Sequence, residues 1–467
     1  MAVLEDLLEI VPVERLNADG VPSASIAILE HGKISAAVIT SSREDTETVY
    51  QACSISKAIT ALAVAKLVDD GHFTYDTRVA EHLPRSVIDC ITETSTAHLI
   101  DHVTIKMLVS HTSGLSQHSF PGYAGDLPTA EDILAGRAPS NTPKIRFNSF
   151  PGAQFSYSGG GFTLLQVVLE GLMQMPFPEI MQQTVLRPLA MTRSHYGALS
   201  HEERNYATAH YTAYTKAGSP YHRFVELAAA GLWTTPSDLV RAIAAIQQSL
   251  HSETGFLKKE TAHYILTQMP QTDAQDGMAL GWSANASTFA HSGDNDPGYQ
   301  CYAFGFHDGM VNVTNDTDKP KVATGNGLAI MSNSVLGFDA IRKIVSAVFY
   351  LKNWPRFRSL PSHFGKEDYV PYAAPEGAVL VDTWRDWCGQ WSGGWQLEDN
   401  GGPCLTFQDS AAMRLRAAAA PTRDEDGEVV DLMVIEGLET AIRLTWEGEE
   451  RVVELIQCEA TRLLKRM

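Results

Sequence analysis

One serine in this sequence stands three residues before a lysine, a spacing that lets an amine activate a hydroxyl. Ser54-Ile55-Ser56-Lys57 is the only Ser-x-x-Lys in the chain. A serine hydroxyl is a weak nucleophile at its own pKa and needs a base beside it. At the start of a helix, residues three apart share a face, so the Lys57 amine reaches the Ser54 hydroxyl. The helix N-terminus also favours negative charge developing on that oxygen. The residues that follow, AITALAVAKLV, are mostly apolar. Burial among such neighbours lowers an amine's pKa and lets it accept a proton. The glycine-flanked elbow G-x-S-x-G, the other common way of presenting a reactive serine, is absent.

A chain of this length supplies about one Ser-x-x-Lys by chance at average residue usage. An N-capping serine followed by an exposed lysine is therefore the plain alternative, and the company of the pair decides between them. FNSFPGAQFSYSGGGFTLL sets Tyr157 between a Pro-Gly turn and a glycine run, in a loop entering an apolar helix. STFAHSGDNDPGYQCYAFGF sets His291-Ser292-Gly293 at the end of a strand-like run.

The elements that must position these residues follow from periodicity. Residues 2–10 read as a short amphipathic helix, and VPSASIAILEHGKISAAVIT reads as a hairpin turning at His31-Gly32. The segment after Ser54 is apolar nearly all round and stops at Gly71, which predicts a helix buried on most faces. Residues 72–230 mix short helices with Pro- and Gly-rich connections, VTIKMLVSHTSGL and FTLLQVVLEGLMQM having the clearest helical period. GLWTTPSDLVRAIAAIQQSL predicts a further helix with Pro236 near its start. From about residue 278 the runs MALGWSA, STFAHSG, YQCYAFGF and GLAIMSNS are strand-like, with a long exposed loop over residues 307–327. FDAIRKIVSAVFYL then predicts a closing helix. The two ends of this region are expected to pair into one antiparallel sheet covered by helices, an α+β fold with a helical subdomain. We place this domain at residues 1–351, a Pro- and aromatic-rich linker at 352–377, and a small all-β meander or barrel at 378–467.

Composition narrows the function. A chain of 467 residues with 44% hydrophobic content buries a large core and exceeds one typical domain. The formal net charge of −19, without any Lys/Arg cluster, argues against a nucleic-acid partner. No apolar run approaches the ~20 residues of a membrane span. The N-terminus carries acids where a signal peptide carries basic residues, and the six cysteines are scattered singly. These features predict a cytoplasmic protein with reduced thiols and no metal or cofactor, acting on a small molecule; self-association stays open.

Seven segments in order now carry a resemblance: GVPSASIAILEHGKI; YQACSISKAITALAVAKLVDDGHFTYDTRVAEHLP; VTIKMLVSHTSGL; PGAQFSYSGGGF; LRPLAMTRSHY; AAAGLWTTPSDL; and HSGDNDPGY. Over about residues 20–350 the chain resembles the serine β-lactamase-like superfamily, closest to the class C β-lactamases and their esterase and D-aminopeptidase relatives. The resemblance implies that Ser54 attacks a carbonyl to form an acyl-enzyme. Lys57 and Tyr157 would form the acid/base pair, and the backbone N–H groups of Ser54 and Asp294 the oxyanion hole. His291-Ser292-Gly293 would form one substrate-binding wall in place of the lactamase Lys-Thr-Gly.

Two departures bear on substrate. The family's Tyr-x-Asn is here Tyr157-Ser158-Gly159, and the glycine removes a donor and is expected to open space. The lysine of Lys-Thr-Gly, which helps hold a substrate carboxylate, is His291. Both point away from a dedicated β-lactamase and toward hydrolysis of an ester, lactone or other amide. Acyl transfer of the kind used in polyketide biosynthesis needs the same three residues. An inactive binding or sensor protein on the same fold is a third reading, opposed by intact Ser54, Lys57 and Tyr157.

Other conspicuous residues take quieter expectations. His111 in SHTSGL is a helix end in the family, His201 and His210 lack metal-ligand spacing, and Cys53 is a small packing residue. Ser56 points off the Ser54 face, and Trp233 and Tyr299 pack in the core. Asp294 and Asn295 line the site or set a turn. Trp384, Trp387, Trp391 and Trp395 suggest gating or self-association before a carbohydrate face.

Overall fold

The two apolar runs around His31-Gly32 form the expected hairpin, β1 (Ser23–Glu30) and β2 (Lys33–Thr40), in register from Ser23↔Thr40 to Glu30↔Lys33. His31 and Gly32 take positive φ values of 49° and 75°, which a two-residue turn needs if it is to follow the strand twist. The structure is a computed structural model. It describes residues 7, 11–94, 96–116, 118–148, 151–152, 155–269, 277–285, 287–295, 298–307, 325–352, 354, 382–392, 395–407, 413–417, 422–423, 429–435, 440–447, 450–457 and 460–466.

Chain order then gives β3 (Tyr50–Gln51), α1 (Ile55–Asp69), α2 (Ile105–Val109) and α3 (Gly159–Met173). β4 (His195–Tyr196), α4 (Leu227–Ala230), β5 (Leu232–Thr234) and α5 (Pro236–His251) follow. The strand-rich region supplies β6 (Gly277–Met278), β7 (Ser283–Ala284), β8 (Thr288–Asn295), β9 (Tyr299–Phe306) and β10 (Gly327–Ser332), before α6 (Gly337–Lys352). The main sheet runs β2-β1-β10-β9-β8-β7-β6. Its centre joins the two ends of the region: β1 pairs antiparallel with β10 from Ala24↔Ser332 to Leu29↔Gly327. The expected α+β arrangement is thus present. The expected 2–10 helix (apart from Leu7), most of the 307–327 loop and nearly all of the 352–377 linker lie outside the described residues.

Helix α1 is the buried spine, with every residue from Ile55 to Ala65 inside. It stops where the sequence indicates: Gly71 takes φ 81°, and the His72 and Gly71 amides donate back to Leu67 O and Val68 O. Helix α5 packs on β1, β9 and β10. Glycines at the contact allow this, since a Cβ at Gly305 or Gly327 would come within 2.6 or 3.2 Å of Ile243 Cγ2. Among the described residues no helix is long and apolar enough to cross a membrane.

The chain divides into two compact units. One comprises Pro12–Asp273 with Gly277–Ile341, the other chiefly Arg342–Met467, so the division falls within α6. Among the described residues of the second unit, eight strands, from Gly389–Trp391 to Ala460–Lys465, follow one another in sequence order, and a ninth short strand pairs to the side. A Trp391↔Arg466 bridge and the Ser392 N–H to Lys465 O bond, 2.8 Å, join the first strand to the last. The meander therefore closes toward a barrel. Trp384, Trp387 and Trp391 are buried in its core with Leu397, Leu405 and Ile442, so three of the four tryptophans serve packing. The side chain of Trp395 lies outside the described residues.

Candidate active site

Ser54 holds the N-cap position of α1 without a side-chain capping bond and is partly exposed, while Lys57 one turn on is 2% exposed. Lys57 Nζ donates to Ser54 Oγ at 3.1 Å and to Ala229 O at 2.8 Å. The second bond fixes the amine from across the fold. Helix α4, which carries Ala229, is itself tied down: Gln166 Oε1 accepts from Ala228 N–H, and Thr60 Oγ1 donates to Ala228 O. Burial lowers the Lys57 pKa from 10.5 to about 7. A neutral amine at 3.1 Å from a serine hydroxyl is placed to take its proton.

The structure brings Tyr157 to this pair, with Lys57 Nζ 5.1 Å from the centre of its ring. Tyr157 lies just before α3, whose N-cap is Ser158: Ser158 Oγ accepts from Gly161 N–H at 2.8 Å and donates to Ser116 O at 3.0 Å. His111 also meets this segment. Its ring stacks on Tyr157 with centres 4.2 Å apart, and its Nδ1 accepts from Ser158 N–H at 2.9 Å.

The third segment arrives on β8. Gly293 pairs with Cys301 and Asp294 with Gln300, whereas β7 reaches only Phe289 and Ala290, so 291–295 runs on beyond it. A Cβ at Gly293 would lie 2.6 Å from Ala52 O and 2.8 Å from Cys53 Cβ. Only glycine lets β8 press against the backbone immediately before Ser54. Ser292 and Asp294 alternate outward, while His291 and Asn295 are buried. His291 Nδ1 lies 2.6 Å from Ser292 O. A carbonyl oxygen can only accept, so Nδ1 carries the proton and Nε2 keeps its lone pair. Burial, reinforced by the Lys57 charge, lowers the His291 pKa to about 4. At neutral pH this position is uncharged.

Gly159 corrects one expectation. The space its missing side chain leaves is occupied: a Cβ there would come 2.8 Å from His118 O and 2.9 Å from Phe120 Cε2. Gly159 N–H donates to His118 O at 3.2 Å, and a Cβ at Gly160 would run into Ser116 O. Residues 158–160 are therefore a track on which Ser116, His118 and Phe120 dock, and the space beside Gly159 is filled. The docked segment carries a residue, His118, that no motif in the sequence marks. The His118 ring lies 4.7 Å from that of Tyr157, and burial with the Lys57 charge lowers its pKa.

Ser56 faces away from Ser54, its Oγ accepting from Leu232 N–H at 3.0 Å and its carbonyl from Tyr196 OH at 2.9 Å. Trp233 packs edge-on to Tyr206, Tyr221 and Tyr299 in the core. Cys53 is fully buried with φ 51°, and burial pushes its thiol well above the ordinary range. Among the described residues, no group of His, Cys, Asp or Glu side chains is arranged to hold a metal ion.

Comparison with known proteins adds a lineage to this geometry. The family model described as Beta-lactamase matches residues 12–348. Protein flp of Staphylococcus aureus is 26% identical over 230 residues, which are 46% of this chain and 42% of that protein, so the match spans under half the length of that relative. The octameric penicillin-binding protein homologue from Pyrococcus abyssi is 20% identical with a TM-score of 0.58, over 99% of this chain and 100% of that one. A D-stereospecific amidohydrolase from Streptomyces sp. is 20% identical with a TM-score of 0.51, over 69% of this chain and 93% of that one.

Proposed function

The chain belongs to the beta-lactamase family, and from that premise we propose that it is a serine hydrolase cleaving an ester, lactone or amide through an acyl-Ser54 intermediate. The observation that carries the reading is the buried Lys57 amine, its pKa lowered to about 7 and its Nζ 3.1 Å from Ser54 Oγ. In acylation Ser54 Oγ bonds to the substrate carbonyl carbon as its proton passes to the Lys57–Tyr157 pair. The carbonyl oxygen becomes an oxyanion facing the backbone N–H groups of Ser54 and Asp294. Collapse breaks the bond to the leaving group, which takes the proton from Tyr157. Water then attacks the acyl-enzyme along the reverse path and regenerates Ser54.

The recognition groups favour a neutral acyl portion. The uncharged His291 offers no cation to a substrate carboxylate, and the 118–120 segment occupies the position from which a residue-159 amide would reach the substrate. β-Lactams, which carry a carboxylate beside the ring, are expected to be poor substrates.

Intact-protein mass spectrometry after a fluorophosphonate probe tests the reading. The wild type should gain one probe mass and Ser54→Ala none, and short-chain nitrophenyl esters should be turned over only by the wild type. The substrate panel should include β-lactams and D-amino-acid amides, the latter because of the D-stereospecific amidohydrolase relative. A folded wild type that is neither labelled nor active on the panel refutes the proposal.

A further inference from the structure

We propose that His111 is the positioning residue that holds Tyr157 in its working orientation, an inference that rests on Tyr157 acting in the proton pair.

The backbone first marks His111 as unusual. Helix α2 ends at Ser110, and the chain reverses through a Schellman turn: Thr112 N–H donates to Met107 O at 2.9 Å and His111 N–H to Leu108 O at 3.4 Å. The pivot of such a turn is left-handed, and His111 has φ 57°. Glycine adopts that conformation without penalty, whereas a residue with a Cβ pays about 1–2 kcal/mol. A histidine at this point therefore implies that its side chain returns something to the fold.

The side chain and carbonyl of His111 together grip the tyrosine. Ser156 N–H donates to His111 O at 2.8 Å, and Ser158 N–H donates to His111 Nδ1 at 2.9 Å. These two amides flank Tyr157 on either side, so its backbone is held at both ends by one residue. The imidazole then stacks on the phenol ring, with centres 4.2 Å apart and planes 24° apart, and packs on Phe162 of α3 at 5.1 Å. A tyrosine in an irregular loop has only its neighbours to fix χ1 and χ2. Here one fully buried ring supplies the platform and the register.

The same arrangement keeps His111 out of the proton traffic. With Nδ1 accepting from Ser158 N–H, the ring's proton sits on Nε2. A second proton would have to displace that bond. Burial first, then the Lys57 charge, hold its pKa well below the ordinary imidazole range. A stacked neutral ring aligns Tyr157 without competing with Lys57 for the proton.

A double-mutant cycle on the full chain separates positioning from general support. The second-order rate of Ser54 phosphonylation by a fluorophosphonate is measured for wild type, His111→Ala, Tyr157→Phe and the double variant. kcat and KM on a nitrophenyl ester are measured alongside. His111→Ala should slow labelling and kcat by about 10–100-fold, the scale of a misplaced catalytic group, with KM changed less than about threefold. In the Tyr157→Phe background it should add less than about a twofold further loss. Equal losses in both backgrounds, or an effect confined to KM, overturn the inference. If His111→Ala does not fold, His111→Asn takes its place in the cycle, since asparagine tolerates φ > 0 and offers an acceptor to Ser158 N–H. An unlabelled, folded wild type would refute the proposed hydrolase instead, so the two failures are distinct.

Discussion

Changing the pH while following phosphonylation of Ser54 interrogates Lys57 directly, because a neutral fluorophosphonate does not itself titrate. Burial takes the amine from 10.5 to about 7. At 1.36 kcal/mol per pH unit, this amounts to about 5 kcal/mol in favour of the neutral amine. At pH 7 about half of the molecules then hold a neutral lysine, against about one in ~3000 for an exposed one. The labelling rate should rise about tenfold per pH unit up to about pH 6.5 and level off above pH 8. Lys57→Met should lose the inflection and fall by about 10²–10⁴-fold at pH 8. A flat wild-type profile from pH 5.5 to 8.5 would refute the reasoning. So would an inflection near pH 4 alone, which would move the base to His291.

Linkage gives the same shift a second readout. Native Lys57 releases its proton near pH 7 and the unfolded residue near 10.5, so between those values the unfolded chain binds more protons. Stability from this residue therefore rises with pH from about 7 to 10.5. Below pH 7 both states are protonated and the burial penalty is full. In urea denaturation Lys57→Met should be more stable than wild type at pH 6, by up to a few kcal/mol after its lost bonds to Ser54 and Ala229 O are counted. The gap should close toward pH 10. A gap that does not vary with pH would contradict a depressed lysine.

Three further outcomes follow. Gly293→Ala puts a methyl 2.6 Å from both Ala52 O and Cys301 Sγ; it should cost about 1–3 kcal/mol and most Ser54 labelling, checked by urea denaturation and mass spectrometry. Gly159→Asn, which restores the family residue, should meet His118 O and Phe120. It should lower Tm without raising nitrocefin turnover, and a gain in that turnover would show the space to be open. Iodoacetamide at pH 7.5 should leave Cys53 and Cys301 unmodified and activity intact in the native protein, since both thiols are fully buried. Peptide mapping with loss of activity at either site would contradict this.

The parts of the site legible in the sequence are those set by local geometry. Ser54 and Lys57 meet because they are three residues apart on one helix, and the hairpin follows from alternation around His31-Gly32. The pairing of β1 with β10 was legible because both are apolar runs at the ends of one region. Contacts chosen by tertiary packing were hidden. Nothing in Ser158-Gly159-Gly160 announces that residues 116–120 will lie on it; three small residues in a row read equally well as an open slot or a docking track. His111 was read as a helix end, which it is. Its grip on residues 156–158 spans more than forty positions, and the clue was subtle: a histidine occupying the pivot that glycine usually takes. The packing of the β unit's tryptophans was hidden for a related reason, because aromatic content alone cannot say that Trp384 and Trp387 of a short helical turn and Trp391 of the first strand face inward.

The charge state of the cleft ties these features together. Lys57 is surrounded by imidazoles, His111, His118 and His291, each with its pKa lowered by burial and by the Lys57 charge. Coulomb repulsion makes the relation mutual: an imidazolium at any of these positions would disfavour the ammonium at Lys57 and drive its pKa lower still. With the histidines neutral, burial alone lowers the Lys57 pKa to about 7. Burial is the first cause of the lowered pKa at both His111 and His291, and at His111 the Nδ1 lone pair is also taken up by Ser158 N–H. Under the proposed hydrolase reading, the neutral His291 offers no cation to a substrate carboxylate, and Lys57 is an amine whose proton moves near neutral pH.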